Sequence, residues 1–279
     1  MTQAHKLTDE SSNGKRGELI VVCGAKGGIG KTAMVVNLAV ALTKKNVKIC
    51  LLDGDFQFGD IALALDLHST FTIKDVVEDI DAMDRYALSG FLIHHNSGLK
   101  VLACPERPEY ADLIKPNVID RVCDLLLSQF DYVIVDSAGG LPEHTLQLIE
   151  KADQILMVTT LEMTAIKNTK LMLDTLQVLG YRDKIHLVIN RATMESVIKA
   201  SEVPEILGFE TAFFIPNEFH LVSQSLNIGI PFVSNQGKSD LAKAVFKMAE
   251  MLVTRREISA LKPKPNSFIQ QIFRKTSKA

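Results

Sequence analysis

Nine residues, Gly24-Ala25-Lys26-Gly27-Gly28-Ile29-Gly30-Lys31-Thr32, constrain this chain more than any other stretch. They follow an apolar, β-branched run (Glu18–Cys23) and open a helical pattern (Lys31–Lys44). A strand, a glycine-rich turn and a helix, in that order, build a cradle for an anion. Gly27, Gly28 and Gly30 let backbone N–H groups turn inward around phosphate oxygens, where side chains would block them. The positive end of the following helix points at the same anion. Lys31 is placed to meet the outer phosphates and Thr32 to ligate magnesium. The general phosphate-loop pattern asks for Gly, four residues and then Gly-Lys-Ser/Thr, and its first glycine falls here on Ala25.

The rest of the chain repeats the strand-then-helix rhythm. Strands are expected at Glu18–Cys23, Val47–Asp53, Leu99–Ala103, Tyr132–Asp136, Ile155–Thr159, His186–Asn190 and Ala212–Ile215. Several are apolar almost throughout, as strands covered on both faces are. Helical periodicity fills Lys31–Lys44, Asn117–Gln129, Thr164–Leu179 and Asp240–Val253, and Asp66–Asn96 reads as several short helices. The expected fold class is therefore α/β, a mostly parallel central sheet with helices on both faces. Three parts are expected: a polar tail over 1–17, one folded domain over 18–253, and a basic linker with a short amphipathic segment over 254–279.

A chain of 279 residues with 47% hydrophobic content can bury a large core, which excludes a mostly disordered protein. It has no run of eighteen apolar residues and no apolar leader in its first seventeen, so a cytoplasmic location is expected. Four widely spaced cysteines, Cys23, Cys50, Cys104 and Cys123, form no metal-binding pattern and read as reduced, buried hydrophobes. Residues 254–279 carry seven basic side chains against one acid, Glu257, which leaves a body of −8 in a chain of net −2. An acidic body argues against a nucleic-acid face.

Other strand ends supply carboxylates. Leu51-Leu52-Asp53-Gly54-Asp55 places two acids where one can order a magnesium water shell and the other can position an attacking water. Tyr132-Val133-Ile134-Val135-Asp136 ends on a single Asp, the form of a magnesium-side carboxylate, and Asn190-Arg191 ends a further strand.

The string Lys-Gly-Gly-x-Gly-Lys-Thr, with its extra Lys26, resembles the deviant loop of the MinD/ParA family of P-loop ATPases, which tolerates a residue other than Gly at Ala25. The resemblance spans about 18–253. It implies ATP and Mg2+ as cofactors, slow ATP hydrolysis, and a homodimer with ATP sandwiched at its interface. By resemblance Lys26 reaches the partner's nucleotide and acts with Lys31 and Asp55 in catalysis. Asp55 then positions the water, while Thr32, Asp53 and Asp136 lie on the metal side. The resemblance also makes Lys26, Gly27, Gly28, Ile29, Gly30, Lys31, Thr32 and Ala33 nucleotide-binding, along with Asn190, which reads the adenine edge, Arg191 and Pro216. Ser137-Ala138-Gly139-Gly140 departs from the family pattern by losing a proline after the Asp.

The strings Thr72–Val77, Ser97–Ala103, Pro105–Glu109 and Glu143–Leu146 are similar to the CpaE/TadZ branch, which serves Flp (Tad-type) pilus assembly. Pilus-assembly proteins are the partners this implies. The alternatives are MinD-like or flagellar-number placement, and a nucleotide-gated scaffold with little hydrolysis. Finally, Phe268, Ile269, Ile272 and Phe273 share one face of a helix, with Arg274 and Lys278 opposite. That is the layout of a segment (267–278) lying on an anionic membrane surface, so peripheral association with the inner face of the cell membrane is expected.

Overall fold

The computed structural model describes residues 16–261. Eight strands, β1 (Glu18–Cys23), β2 (Ile49–Gly54), β3 (Ile93–His94), β4 (Lys100–Leu102), β5 (Tyr132–Ser137), β6 (Gln154–Thr159), β7 (Ile185–Ile189) and β8 (Phe213–Phe214), form one sheet in the order β3-β4-β2-β5-β1-β6-β7-β8. Every pairing is parallel except β3 with β4. The helices are α1 (Lys31–Thr43), α2 (Ile61–Ala64), α3 (Ile73–Val77), α4 (Arg85–Ser89), α5 (Pro116–Leu127), α6 (Glu143–Lys151), α7 (Met163–Val178), α8 (Val203–Leu207), α9 (Phe219–Ile228), α10 (Phe232–Asn235) and α11 (Asp240–Leu261).

Strand side chains alternate between two cores, which is why the strands read as continuous apolar runs. In β1, Leu19, Val21 and Cys23 enter the core covered by α3 and α5–α8. Ile20 and Val22 enter the opposite core, under α1, α2, α10 and α11. Helix α1 is buried from Ala33 to Leu42 and apolar there but for Asn37, so it has no solvent-facing polar stripe over that stretch.

Seven of the expected strands are present. Only β3 was not anticipated: two residues are too short for any alternation to show. Within Asp66–Asn96 the expected short helices are α3 and α4. The boundary expected after Val253 falls inside a helix, because α11 continues to Leu261. The basic pair that reads as linker is docked on the sheet. Arg256 donates to Asp131 O (2.6 Å) and lies over the Tyr132 ring at 4.7 Å, and Arg255 faces His186 at 3.0 Å. At the other end of the described residues, Arg16 pairs with Asp153 (2.7 Å) and Gly17 donates to Leu127 O. The tail over 1–15 and the segment 267–278 lie outside the described residues.

Candidate nucleotide site

The sheet reverses its winding at β1, with β5 on one side and β6 on the other. In open parallel sheets the crevice beyond the strand ends at such a point is where ligands bind. The loop Gly24–Gly30 leaves β1 at this point. Gly30 caps α1 at φ 89° and Gly28 stands at φ 73°, backbone that disfavours any other residue. A Cβ at Gly30 would fall on the Asn190 side-chain amide.

Adjacent loops fold over this turn. Gly140 N donates to Gly24 O at 3.0 Å, so the Ser137–Gly140 loop is tied to the phosphate loop without the missing proline. Asn190 donates from Nδ2 to Ile29 O (2.8 Å) and accepts on Oδ1 from Arg191 N (2.9 Å). Arg191 holds a left-handed backbone, φ 54°, and its guanidinium donates to Gly28 O at 3.2 Å. A non-glycine residue held there is backbone strain concentrated at the site.

The acids differ in their engagements. Parallel register places Asp53 beside Asp136. Thr32 Oγ1 donates to Asp136 Oδ2 at 2.5 Å, while Asp136 Oδ1 is buried without a hydrogen-bond partner. Burial pushes the Asp136 carboxyl from the ordinary 3.8 up to about 6, with the Thr32 hydroxyl and the Lys31 charge pulling it back. Burial, then the Asp136 charge, pushes Asp53 up to about 8. Asp53 is spent on its own loop, accepting from Ile61 N (3.1 Å) and Asp55 N (3.4 Å). Asp55 is half-buried, and its Oδ1 accepts from Phe58 N at 3.2 Å.

A divalent cation and a nucleoside triphosphate fit these residues. The orphaned Asp136 Oδ1 is an open acceptor beside the Thr32 hydroxyl. Among the described residues no group of three or more His, Cys, Asp or Glu stands ready to hold a metal, so a cation here must share its coordination with phosphate and water. A cleft of about 440 Å³ runs from Gly28, Gly30, Lys31, Thr32 and Ala33 past Asn190 and Arg191 to Pro216. Of the expected phosphate and base residues, Gly28, Gly30, Lys31, Thr32, Ala33, Asn190, Arg191 and Pro216 line this cleft, while Lys26, Gly27 and Ile29 line a neighbouring recess.

Lys26 points elsewhere. Its Nζ donates to Thr164 Oγ1 (2.6 Å) at the first turn of α7, in a smaller recess with Gly27, Ile29, Thr160 and Glu162. Sequence reading missed Thr164 and Glu162. The available signal was their place just after β6, whose end adjoins the phosphate loop in a parallel sheet.

A glycine-rich loop after the central strand of a parallel sheet, with a buried Asp bonded to its Thr, defines a P-loop nucleoside triphosphatase. Comparison with known proteins narrows the class. Residues 17–189 match the family described as AAA domain. The septum site-determining protein MinD of Thermotoga maritima is 32% identical over 246 residues, spanning 85% of this chain and 88% of its own length. A ParA family ATPase from Chlorobium tepidum has the same fold, with a TM-score of 0.78 at 22% identity over 84% of this chain and 98% of its own. MinD of Pyrococcus horikoshii, solved with Mg-ADP, scores 0.75 at 22% identity over 88% and 100%. The chain belongs to the MinD/ParA family of P-loop ATPases.

Proposed function

We propose that this chain is an ATP-dependent, dimerising ATPase switch that positions or assembles a machine of the cell envelope. The observation that carries the reading is the Thr32–Asp136 pair with its open carboxylate oxygen, set under a loop that also presents Lys26 and Lys31. The Mg-ADP in the Pyrococcus relative supports a magnesium nucleotide as ligand. Bound magnesium would neutralise phosphate charge, and Thr32 Oγ1 and Asp136 Oδ1 are the atoms to hold it. Loop N–H groups and Lys31 bind the phosphates, and Asn190 and Pro216 face the base. Asp55 holds the attacking water by accepting its hydrogen bond. Lys26, parked on Thr164, is free to swing to a partner's nucleotide.

The strings Thr72–Val77, Ser97–Ala103, Pro105–Glu109 and Glu143–Leu146 support a Flp/Tad-type pilus as the machine. The Thermotoga relative supports a second reading, placement of the division septum. Attachment to an anionic membrane through 267–278 belongs to either reading. Among the described residues no helix is long and apolar enough to cross a membrane.

Titration with fluorescent ATP, with and without Mg2+, tests the core of the proposal. The wild type binds and slowly hydrolyses ATP. Lys31→Ala, lacking the charge on the outer phosphates, binds on the order of a hundredfold more weakly. Unchanged binding in that variant would remove the phosphate loop from the account.

A further inference from the structure

Asp53 ends β2 beside Asp136, yet its carboxylate has a different employer. Oδ2 accepts from the buried N–H of Ile61 and Oδ1 from the N–H of Asp55. Between these two points the chain passes so close that a Cβ built on Gly59 would fall on the Asp53 carboxyl group. The carbonyl of Gly59 in turn accepts from Cys104 Sγ at 3.4 Å. Burial pushes the Cys104 thiol up to about 12, so it stays a protonated donor. Loop 55–61 is therefore wrapped round one fully buried side chain, and Cys104 closes it from behind. Thr32, the hydroxyl of the phosphate loop, bonds Asp136 instead.

We propose that Asp53 is a positioning residue: it shapes loop 55–61 and so fixes where Asp55 stands, while Asp136 is the strand-end acid that serves the cation. Loss of the carboxylate orphans the Ile61 N–H in the interior and frees the loop at the residue that must hold the water. Small misplacements of such a group are expensive in rate and leave ground-state binding nearly untouched. The need for glycine at 59 follows from the same contact, since the carboxylate occupies the space a side chain would take.

The kinetic arm of the test rests on the ATPase reading above; the melting arm does not. Asp53→Ala lowers kcat by about 10–100-fold and Asp53→Asn, which keeps an acceptor oxygen, by less. In both variants the Kd for ATP and the Mg2+ concentration at half-saturation stay within about threefold of wild type. A rise of about tenfold or more in the Mg2+ requirement, with kcat restored at saturating Mg2+, would overturn the assignment and return Asp53 to the metal. In nucleotide-free protein, Gly59→Ala lowers Tm by about 4–8 °C, but by under about 2 °C when Asp53→Ala has already opened the space. Equal losses in the two backgrounds overturn the contact. A wild type that neither binds nor hydrolyses ATP defeats the ATPase reading, and the melting cycle then decides for or against the loop anchor alone.

Discussion

Single side chains at this site divide their labour by what they already touch. Asp136 keeps an oxygen open and Asp53 does not, although both end adjacent strands and share a register. Asp-x-Asp at a strand end fits either role, so it was the family resemblance that placed Asp53 on the metal side, and the loop's path could not be read. Lys26 is bonded to an exposed Thr164 hydroxyl, a contact worth about 1 kcal/mol and easily exchanged. Lys26→Ala is therefore expected to leave ATP affinity of the monomer within about threefold and to abolish ATP-induced dimers, read by calorimetry and light scattering together. Equal losses of ATP affinity in Lys26→Ala and Lys31→Ala would contradict a role across the interface. Gly28 and Gly30 were legible because each answers a local demand, a left-handed turn, whereas the role expected of Lys26 came from the family resemblance. Thr164 and Glu162 were not, since only the folded sheet brings the end of β6 to the loop.

At the scale of elements, double-sided burial made the central strands legible and α11 illegible at its end. Arg255 and Arg256 carry the polarity of a linker, yet Arg256 keeps only 10% of its side chain exposed between Glu18, Asp131 and Tyr132. Long basic side chains bury their stems and still satisfy their heads, which a composition boundary does not register. The same docking sets a pH dependence. Burial first, and the Arg255 charge second, lower His186 from 6.5 to about 4. The unfolded chain therefore takes up this proton before the folded one does, and stability is lost as pH falls from 6.5 towards 4. Urea melts of wild type and His186→Gln across that window should diverge, the variant losing less on acidification. Parallel curves would show that the α11 contact does not hold the imidazole neutral.

The whole molecule joins an acidic body to a basic C-terminal stretch, and the proposed membrane attachment uses the second. On the proposed membrane reading, four apolar side chains in 267–278 would offer about 1.5–3 kcal/mol each at full burial, against the cost of ordering the segment, so one copy would bind a surface weakly. Two copies on the proposed ATP dimer would act at high effective concentration. Co-sedimentation with anionic vesicles should thus require ATP and be lost from a chain ending at Pro265; equal pelleting of the truncated chain would place the anchor elsewhere. The proposed switch depends on nucleotide-driven pairing. Light scattering coupled to size exclusion measures it directly. Wild type should run as a monomer without nucleotide and as a dimer with Mg-ATP that decays as ATP is spent. Asp55→Ala, with its phosphate cradle intact and its water unheld, should stay dimeric. Monomers in both proteins at saturating Mg-ATP would contradict the switch.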